Sequence, residues 1–469
     1  LDICSKSIFY SITDSVNIML IAQAKKSQAG YKPVSLIDTV IQTALDAEPK
    51  MDATPAYLRA TYLEDTANSI LQNQEALATT IVQEGIKTIR EARSEVLRAY
   101  TTLKLCAEEA KRNTGEVIPF DQVKNGVGRV GWTDMRPVGL VAAITPFNDP
   151  LNLVVHKVGP AIAAGCPVIV KPHEATPGSA KQLLALFRQN GLPEGAFQVI
   201  EGAGAEIGKQ LVEHPAVKMV TFTGGKVTGQ AVATAAAGRP TALEMGGVCS
   251  TIVMADADLE TASARIVSGM FAAAGQNCLH VQRVLIDDAV YDTLVKSLIE
   301  KTGKIRLGDP MSEDTDMGRL ISEASTQRCA GILNDALDLG ATLLIGGEYG
   351  GKSFQPTLVA DVPATARIYS EEVFGPITVI ERFHGIDQAV TRLAAADASL
   401  ALAIFTQSLS VPFALRRIRT GSIIINDSTD FRIDAMPFGG PFPAGLAREG
   451  VQCAIKSMSE PQMMCLNLN

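Results

Sequence analysis

The sequence predicts an α/β protein built around two blocks of parallel sheet. In residues 138–247 short β-prone segments alternate with helical ones, and a second alternating block begins at Ser250 and ends near Asp427. Strands that alternate with helices at this spacing form a parallel sheet with crossover helices on its faces. The chain has 469 residues, which is long for a single hydrophobic core, so two or three domains are expected.

The elements of the first block can be placed individually from their apolar periodicity. Strands are predicted at 138–145, 167–171, 197–201, 217–223 and in a following segment that contains Leu243 and Glu244. The helices predicted between them lie at 151–164, 179–190, 206–213 and 227–237.

Other segments flank these blocks. Residues 58–112 are long, helical and amphipathic, and residues 115–136 are typical of a two-stranded excursion, for which a surface flap is the alternative. We expect this excursion and the β-prone tail 462–469 to pair between subunits, because edge strands seek partners, so a homodimer or homotetramer is predicted. Residues 1–30 are poorly patterned and receive no assignment.

Composition excludes several classes of protein. Hydrophobic residues make up 46% of the chain, and a net charge of −8 without a run of Lys and Arg argues against nucleic-acid binding. The longest apolar run near the start, 18–22, is far too short to span a bilayer, and no secretory signal pattern is present. The eight cysteines form no C-x-x-C pair and the five histidines are isolated, so no metal site is expected. Scattered free thiols indicate a reducing compartment, and a cytoplasmic location is expected.

The stretch GQNC at 275–278 contains the candidate nucleophile. Residues 259–274 have apolar residues at helical spacing and residues 279–286 are strand-like, which places Cys278 at the end of a helix where solvent and ligand can reach it. Most free cysteines are packing residues, but a thiol nucleophile also needs a base for hydrolysis and a donor for the oxyanion. Glu244 and Asn148 are the candidates for those two roles.

Two glycine-rich stretches could hold a dinucleotide. Residues 222–225, FTGG, end a strand and open a helix, so backbone amides and the helix N-terminus can approach a pyrophosphate. Residues 202–204 with Gly208 give G-x-G-x-x-x-G, one residue longer than the Rossmann pattern, and are the weaker candidate.

A lysine and a glutamate at the end of another strand bear on the choice of cofactor. Glu174, in the stretch KPHE, could accept hydrogen bonds from both ribose hydroxyls and would repel a 2′-phosphate, while Lys171 supplies a donor in the same place. This pattern favours NAD over NADP.

Taken together, these stretches resemble the aldehyde dehydrogenase superfamily from about Leu58 to the C-terminus. The matching motifs, in order, are TPFNDPLN, KPHEATP, FTGG, LEMGG, GQNC, EEVFGP and MPFGG. The resemblance implies that Cys278 is the nucleophile, Glu244 the general base and Asn148 the oxyanion donor. It also implies the cofactor-binding residues, which are Thr145, Pro146, Phe147, Lys171, His173, Glu174, Gly204, Phe222, Thr223, Gly224, Gly225, Met245, Gly246, Glu372 and Phe374.

The resemblance further implies an aldehyde dehydrogenase-like fold with three parts. A Rossmann-type NAD-binding domain is expected at 1–115 and 137–247, with 443–455 returning to it, and an α/β catalytic domain at 248–442. A small β oligomerisation element is expected at 116–136 and 456–469.

The sequence departs from the family pattern at several positions. Gly225 replaces the serine usual after FTG, so the following helix should lack a side-chain cap. Val248 replaces a common lysine, and Phe442 and Ala444 replace the Lys and Ser usual in the C-terminal motif. None of these positions is one of the three catalytic candidates.

The expected reaction is NAD-dependent oxidation of a small aldehyde to its acid through a cysteine thiohemiacetal and thioester. A CoA-acylating semialdehyde dehydrogenase, a phosphorylating enzyme and a non-catalytic binding protein with the same fold are the alternatives. CoA-acylating relatives usually lack the glutamate, so Glu244 favours hydrolysis.

The polar loop at 426–434 is similar to that of relatives acting on small hydroxy- or acid-bearing aldehydes, of the lactaldehyde, phosphonoacetaldehyde and sulfolactaldehyde types. Arg432 in this loop could pair with an anionic group on the substrate. The alternative is a salt bridge to Asp430 or Asp434.

Overall fold

The computed structural model describes residues 35–469. The residues 1–30 discussed above lie outside that part. The α-helices within it are α1 (Leu36–Ala53), α2 (Ala56–Gln72), α3 (Gln74–Glu84), α4 (Ile89–Ala110), α5 (Asn152–Ala164), α6 (Gly178–Gln189), α7 (Lys209–Glu213), α8 (Lys226–Ala235), α9 (Leu259–Phe271), α10 (Tyr291–Thr302), α11 (Glu323–Asp338), α12 (Arg367–Ser370), α13 (Ile386–Ala394), α14 (Val411–Ala414) and α15 (Val451–Ser457).

The strands alternate with these helices over most of the chain. They are β1 (Val117–Ile118), β2 (Arg129–Pro137), β3 (Val141–Ile144), β4 (Val168–Lys171), β5 (Phe197–Val199), β6 (Met219–Thr223), β7 (Thr241–Glu244), β8 (Cys249–Val253), β9 (Val281–Asp287), β10 (Thr342–Ile345), β11 (Tyr349–Gly350), β12 (Ser353–Phe354), β13 (Thr357–Ala360), β14 (Ile377–Phe383), β15 (Ser399–Phe405), β16 (Thr420–Ile425), β17 (Gly445–Leu446) and β18 (Ser459–Asn467).

The first block forms a six-stranded sheet in the order β17-β7-β6-β3-β4-β5, parallel except for β17. All five predicted strands are present in it, and the four that were predicted with bounds are each shorter than predicted at one end or both. Of the four predicted helices, only 206–213 differs in kind: it begins as a π-helical turn at Gly204–Gly208 and becomes α7. The alternating pattern was therefore sufficient to predict this sheet.

The second block forms a seven-stranded sheet in the order β10-β13-β14-β9-β8-β15-β16, parallel except for β10. Its first strand, β8, begins at Cys249, immediately after the short connection from β7. Because the carboxyl end of β7 leads directly into this sheet, Glu244 lies at the boundary between the two sheets.

The long helical segment 58–112 is divided into α2, α3 and α4. These helices pack with α5 and α15 on one face of the six-stranded sheet in a shared hydrophobic core. Helix α4 begins with a capping box, in which Thr88 and Glu91 bond to each other's backbone N–H groups. It is the longest helix in the described part of the chain and runs beside the start of α5.

A third, antiparallel sheet has the order β1-β2-β18. The excursion at 115–136 contributes mainly one long strand, β2, since only Val117 and Ile118 pair back onto it. The tail pairs with β2 within the same chain, in a register from Ser459 opposite Pro137 to Asn467 opposite Arg129. Pairing between subunits stays a prediction, and it would use the edge that β18 leaves open.

Within residues 35–469, the structure contains no helix that is both long and apolar enough to cross a membrane.

Candidate active site

Cys278 follows a tight left-handed turn. Helix α9 ends at Phe271, so the prediction that Cys278 terminates a helix was wrong. Ala273 (φ 53°) and Ala274 (φ 54°) adopt the left-handed conformation, and Gly275 (φ 68°) continues it. Each alanine in this region costs about 1–2 kcal/mol, because its Cβ crowds the carbonyl oxygen. Because the apolar residues keep helical spacing through 259–274, the sequence predicted a helix where this turn occurs.

Side chains from outside the turn hold it in place. The Glu91 Oε1 atom accepts a hydrogen bond from the Ala273 N–H at 2.7 Å. The buried Gln276 amide donates to the carbonyls of Ala273 and Arg319, both at 3.1 Å, and accepts from the Ile321 N–H at 2.9 Å. Hydrogen bonds with Glu91 and Gln276 thus fix the turn that leads to Cys278.

The Cys278 thiol lies in an apolar setting. Burial raises the pKa of the thiol well above its usual value, and the neighbouring Cys249 adds to this effect. The Cys249 thiol also donates to the Cys278 carbonyl at 3.4 Å. With no helix terminus beside it and a raised pKa, the thiol is predominantly protonated near neutral pH.

Asn148 is buried in the loop between β3 and α5. That loop is anchored by Glu95 on α4, whose Oε1 accepts from the Leu151 N–H at 2.8 Å and the Asn152 N–H at 3.0 Å. Lys87 bonds to Glu95 at 2.7 Å and also pairs with Asp149. A buried carboxylate at the start of α5 satisfies amides that have no partner within the helix. The loop that carries Asn148 is therefore rigidly supported.

Glu244 ends β7 with its side chain buried. Its Oε1 accepts from the Glu449 N–H at 3.3 Å, while its Oε2 has no hydrogen-bond partner in the described part of the chain. Burial raises the pKa of this carboxyl well above its usual value, and the negative charge of Glu449 raises it further. Glu449 is itself paired with the buried Lys157 at 2.5 Å. A carboxyl with a raised pKa and a free oxygen is suited to take a proton.

One cavity of about 460 Å³ brings these three residues together. Cys278, Glu244, Asn148 and Arg432 all line this cavity. The other lining residues are Arg98, Pro146, Phe147, Asp149, Leu153, Thr223, Gly224, Gly225, Met245, Gly246, Gln276, Asn277, Leu279, Ser325, Arg328, Glu372, Phe374, Leu400, Asp430 and Phe438. A nucleophile, a base and an amide donor that converge on one cavity can carry out acyl transfer.

Glu372 and Phe374 form one wall of the cavity. Burial raises the pKa of Glu372 to about 7, and a Cβ on Gly246 would lie 1.9 Å from the Glu372 carboxylate, so a larger residue there would displace that carboxylate. Phe374 adopts a left-handed backbone (φ 46°). Arg328 holds this segment by donating to the carbonyls of Val373 and Phe374. Both predicted residues are therefore placed against the cavity by specific contacts.

Aromatic rings extend this wall outwards. Phe147 packs edge to face against Phe374, with ring centroids 5.8 Å apart, and against His173, at 5.1 Å. His173 lies outside the cavity, next to the end of β4. Burial lowers the pKa of His173, and the charge of Lys171 lowers it further, so this ring is neutral at pH 7. Phe147 thus connects the two groups of predicted cofactor-binding residues.

Lys171 and Glu174 lie together at the end of β4, with the Lys171 Nζ 3.5 Å from the Glu174 Oε1. The same oxygen accepts from the Gly204 N–H at 2.6 Å, which lowers the pKa of Glu174, with a further contribution from Lys171. The glycine-rich stretch at 202–204, the weaker candidate for the dinucleotide, thus contributes a backbone N–H to the Glu174 carboxylate. The Glu174 side chain stays 56% exposed and is available to a ligand.

The stretch FTGG opens α8 as predicted. Gly225 is the N-cap and the helix has no side-chain cap, as the missing serine implied. A Cβ on Gly225 would meet nothing within 4 Å, so the space in front of the helix is open. Inside the helix, Gly229 is packed so closely that a Cβ would lie 2.3 Å from the Met245 sulfur. Open space before uncapped helix amides fits a dinucleotide pyrophosphate. Of the remaining predicted cofactor residues, Thr145 is buried at the end of β3 and Phe222 packs beneath the glycines.

Arg432 lines the same cavity. Its side chain is only 9% exposed, and its guanidinium carbon lies 3.8 Å from the centre of the Phe438 ring. Its nearest carboxylate contacts, to Asp434 at 4.0 Å and Glu449 at 3.9 Å, exceed hydrogen-bond distance. Its Nε atom has no partner among the described residues.

The predicted ion pair between Arg432 and Asp434 is present, with the Arg432 Nε 4.0 Å from the Asp434 carboxylate, but the hydrogen bonds of Asp434 go to other residues. The Arg432 Nη2 lies 3.3 Å from the His156 Nε2. His156 Nε2 lies 2.8 Å from Asp434, and Arg98 donates to it at 3.0 Å. In the described part of the chain Asp430 makes no ion pair with Arg432. Arg432 therefore retains donors that a ligand could use.

Sequence reasoning missed Glu91, Glu95, Gln276, Arg98 and Arg328. The capping box at Thr88 was visible in the sequence, but the second contact of Glu91 was not, because it joins residues 182 positions apart. The expectation of no metal site stays a prediction, although no group of metal-ligating residues occurs among those described.

Comparisons with known proteins agree with this geometry. A family model described as "Aldehyde dehydrogenase family" matches residues 21–464. The chain is 42% identical over 435 residues to aspartate-semialdehyde dehydrogenase 1 from Pseudomonas canavaninivorans, which covers 92% of each chain. It is 41% identical over 413 residues to 3-sulfolactaldehyde dehydrogenase from Priestia aryabhattai, covering 88% of this chain and 87% of the relative.

A solved structure supports the same comparison. Aldehyde dehydrogenase 21 from Physcomitrella patens, in complex with the reaction product succinate, superposes with a TM-score of 0.90 at 34% sequence identity. The match covers 92% of this chain and 90% of that one. The likeness therefore extends over both parallel sheets and the cavity between them.

Proposed function

The chain belongs to the aldehyde dehydrogenase family and is an NAD(P)-dependent enzyme that oxidises an aldehyde to the acid, and from this premise we propose that Cys278, Glu244 and Asn148 carry out the reaction. The observation that supports this proposal is the single cavity lined by all three residues.

Cys278 is the nucleophile in this proposal. Its proton must leave before attack, since burial keeps the thiol protonated, and Glu244, whose Oε2 has no partner among the described residues, lines the same cavity and can accept it. The sulfur then bonds to the aldehyde carbon, and the carbonyl oxygen becomes an oxyanion. The Asn148 amide and the Cys278 backbone N–H hold this oxyanion, and losing one such donor costs about 100- to 1,000-fold in rate.

The dinucleotide, when bound, supplies the hydride acceptor. The FTGG segment would hold its pyrophosphate, Lys171 and Glu174 its adenosine ribose, and Glu372 with Phe374 its nicotinamide end. The carbon bonded to Cys278 is oxidised to a thioester. Glu244 releases the thiol proton to solvent and then takes a proton from water; the hydroxide attacks the thioester, and the Cys278 thiolate is released with the acid.

Hydrolysis is favoured over transfer to CoA because the base is present and buried beside the nucleophile. A preference for NAD over NADP is supported by Glu174, whose low pKa keeps it negatively charged where a 2′-phosphate would lie.

We further propose that the substrate is a small aldehyde with an anionic far end. Two relatives bear names of such substrates, aspartate semialdehyde and 3-sulfolactaldehyde. In this chain Arg432 lines the cavity with an Nε donor that has no partner among the described residues, and a guanidinium can pair with a carboxylate or sulfonate in two-point geometry.

The test is NADH formation by the wild type and by Cys278→Ser, with a panel of neutral and anionic aldehydes, with and without CoA. The variant is expected to lose activity while it still binds NAD, because a hydroxyl is a poor nucleophile near neutral pH. Near-normal turnover by Cys278→Ser contradicts the nucleophile assignment. Turnover that requires CoA contradicts hydrolysis.

A further inference from the structure

The turn before Cys278 is hydrogen-bonded to a residue of α4, a helix that packs on the six-stranded sheet. Glu91 lies in the first turn of α4. Its Oε2 accepts from the Thr88 N–H at 2.9 Å, and its Oε1 accepts from the Ala273 N–H at 2.7 Å. One carboxylate therefore joins the start of α4 to the turn that leads into the nucleophile.

The turn depends on such a contact. Ala273 and Ala274 have φ angles of 53° and 54°, a conformation that alanine keeps only where its surroundings impose it. Both residues are buried, so an Ala273 amide that loses Glu91 has no water to replace it. Gly275 then packs so tightly against the Gly375 carbonyl that a Cβ would lie 2.2 Å from it. Movement of the turn would therefore displace both Cys278 and the segment of Glu372 and Phe374.

Helix capping alone does not account for Glu91. A capping box needs one carboxylate oxygen, which the contact with Thr88 already provides, together with the Thr88 hydroxyl that accepts from the Glu91 N–H at 3.4 Å. The second oxygen is directed at the turn. One helical turn later, Glu95 on the same helix anchors the loop of Asn148. Two carboxylates at i and i+4 lie on one face of a helix, so α4 supports both reacting groups from one side.

We propose that Glu91 is a positioning residue that fixes the nucleophile's turn, so that the Cys278 sulfur is held in line for attack on the aldehyde carbon. This inference rests on the proposed role of Cys278. Displacement of a reacting group by about 1 Å costs up to about 100-fold in rate.

The experiment compares Glu91→Ala with Thr88→Ala as the matched control. Thr88→Ala weakens the same helix cap and removes the hydroxyl contact to the Glu91 Oε2 at 3.1 Å, but it keeps the shorter bond from the Thr88 backbone N–H at 2.9 Å, so the bond to Ala273 is expected to survive. Three quantities are measured for each full-length variant: the pre-steady-state burst rate of NADH, the alkylation rate of Cys278 by iodoacetamide from mass spectrometry, and the thermal midpoint. Glu91→Ala is expected to lower the burst rate at least tenfold and to raise the alkylation rate at least fivefold, because the thiol is released from its buried position. Thr88→Ala should lower the thermal midpoint while both rates stay within about twofold of wild type.

Rates within twofold of wild type in Glu91→Ala overturn the inference, as do equal rate losses in the two variants. If Glu91→Ala is insoluble, Glu91→Gln takes its place: its amide offers one acceptor for two N–H donors, and at least a threefold loss of burst rate is expected. The alkylation arm needs no turnover. A wild type that oxidises no aldehyde therefore refutes the proposed function, while the alkylation rates still decide the role of Glu91.

Discussion

Replacing Arg432 with methionine tests the anionic-substrate proposal most directly. Methionine keeps a long unbranched side chain that can still contact the Phe438 ring, but it removes the charge and all donors. The arginine is only 9% exposed, and its removal costs the Nη2 contact with His156 at 3.3 Å and the ion pairs with Asp434 at 4.0 Å and Glu449 at 3.9 Å. These losses affect every substrate alike, so the difference between an anionic and a neutral aldehyde measures what the guanidinium offers to a ligand.

The expected magnitude follows from the contact. A charge-assisted hydrogen bond to a desolvated anion contributes about 1.5–3 kcal/mol, which corresponds to roughly a ten- to hundred-fold change in kcat/KM. Arg432→Met should lose that much with succinic semialdehyde and should lose less than about threefold with propanal, which has no group to bind. Arg432→Lys should be intermediate, because it keeps the charge but not the planar pair of donors.

The control is Arg265→Met. Arg265 pairs with Asp427 of the same loop, is 41% exposed and does not line the cavity. Exposed ion pairs contribute about 0–1 kcal/mol, so both substrates should be oxidised at near wild-type rates. Steady-state NADH formation gives kcat and KM for each pair of variant and substrate. If Arg432→Met loses the same activity on the two aldehydes, or none on either, the reasoning is refuted. Arg432 would then only pack against Phe438.

The remaining predictions concern the base, the cofactor and the tail. Glu244→Gln should give one fast burst of NADH followed by slow turnover, since thioester hydrolysis needs the base; equal losses in both phases would assign Glu244 elsewhere. Because the active form of Glu244 is the carboxylate and its pKa is raised, steady-state turnover should rise with pH through that pKa and then level off, and the glutamine variant should lose this rise. Glu174→Thr should improve kcat/KM for NADP by removing the repelling charge, whereas a wild type that already prefers NADP would contradict this assignment. Deletion of 459–469 should yield monomers or insoluble chain, because the edge of β2 loses its partner; light scattering that shows an unchanged mass would count against it.

The sheets and much of the cavity could be predicted from the sequence because their signals are local. Strand and helix periodicity in 138–247 reflects burial on alternating faces; the motif around Glu244 lies at the end of one such strand, and the motif around Asn148 lies in the loop after another. The short sequence pattern of a strand shows where the strand ends, and therefore where the loop that follows it begins. For this reason the residues of the predicted constellation also line one cavity.

What the sequence could not predict are contacts between distant residues and departures from regular backbone. The turn at Ala273 has the composition of a helix, and alanine is the best helix former, so only tertiary contacts impose its left-handed conformation. Likewise nothing near Arg432 indicates that Asp434 is already bonded to His156 and Arg98. The sequence offered two nearby carboxylates, and the structure shows that one of them is engaged and the other makes no ion pair with Arg432.

The position of the last strands along the chain has a consequence for biosynthesis. Strand β17 pairs beside Glu244 on β7, Glu449 supplies the N–H that Glu244 accepts, and β18 completes the sheet of β2. All three pieces are synthesised after the five parallel strands of the six-stranded sheet, which have had time to begin folding. Until then Lys157 lacks its buried counter-ion Glu449, and β2 presents an open edge. The nascent chain therefore has no finished base site, and a truncated product is expected to be both inactive and prone to aggregate.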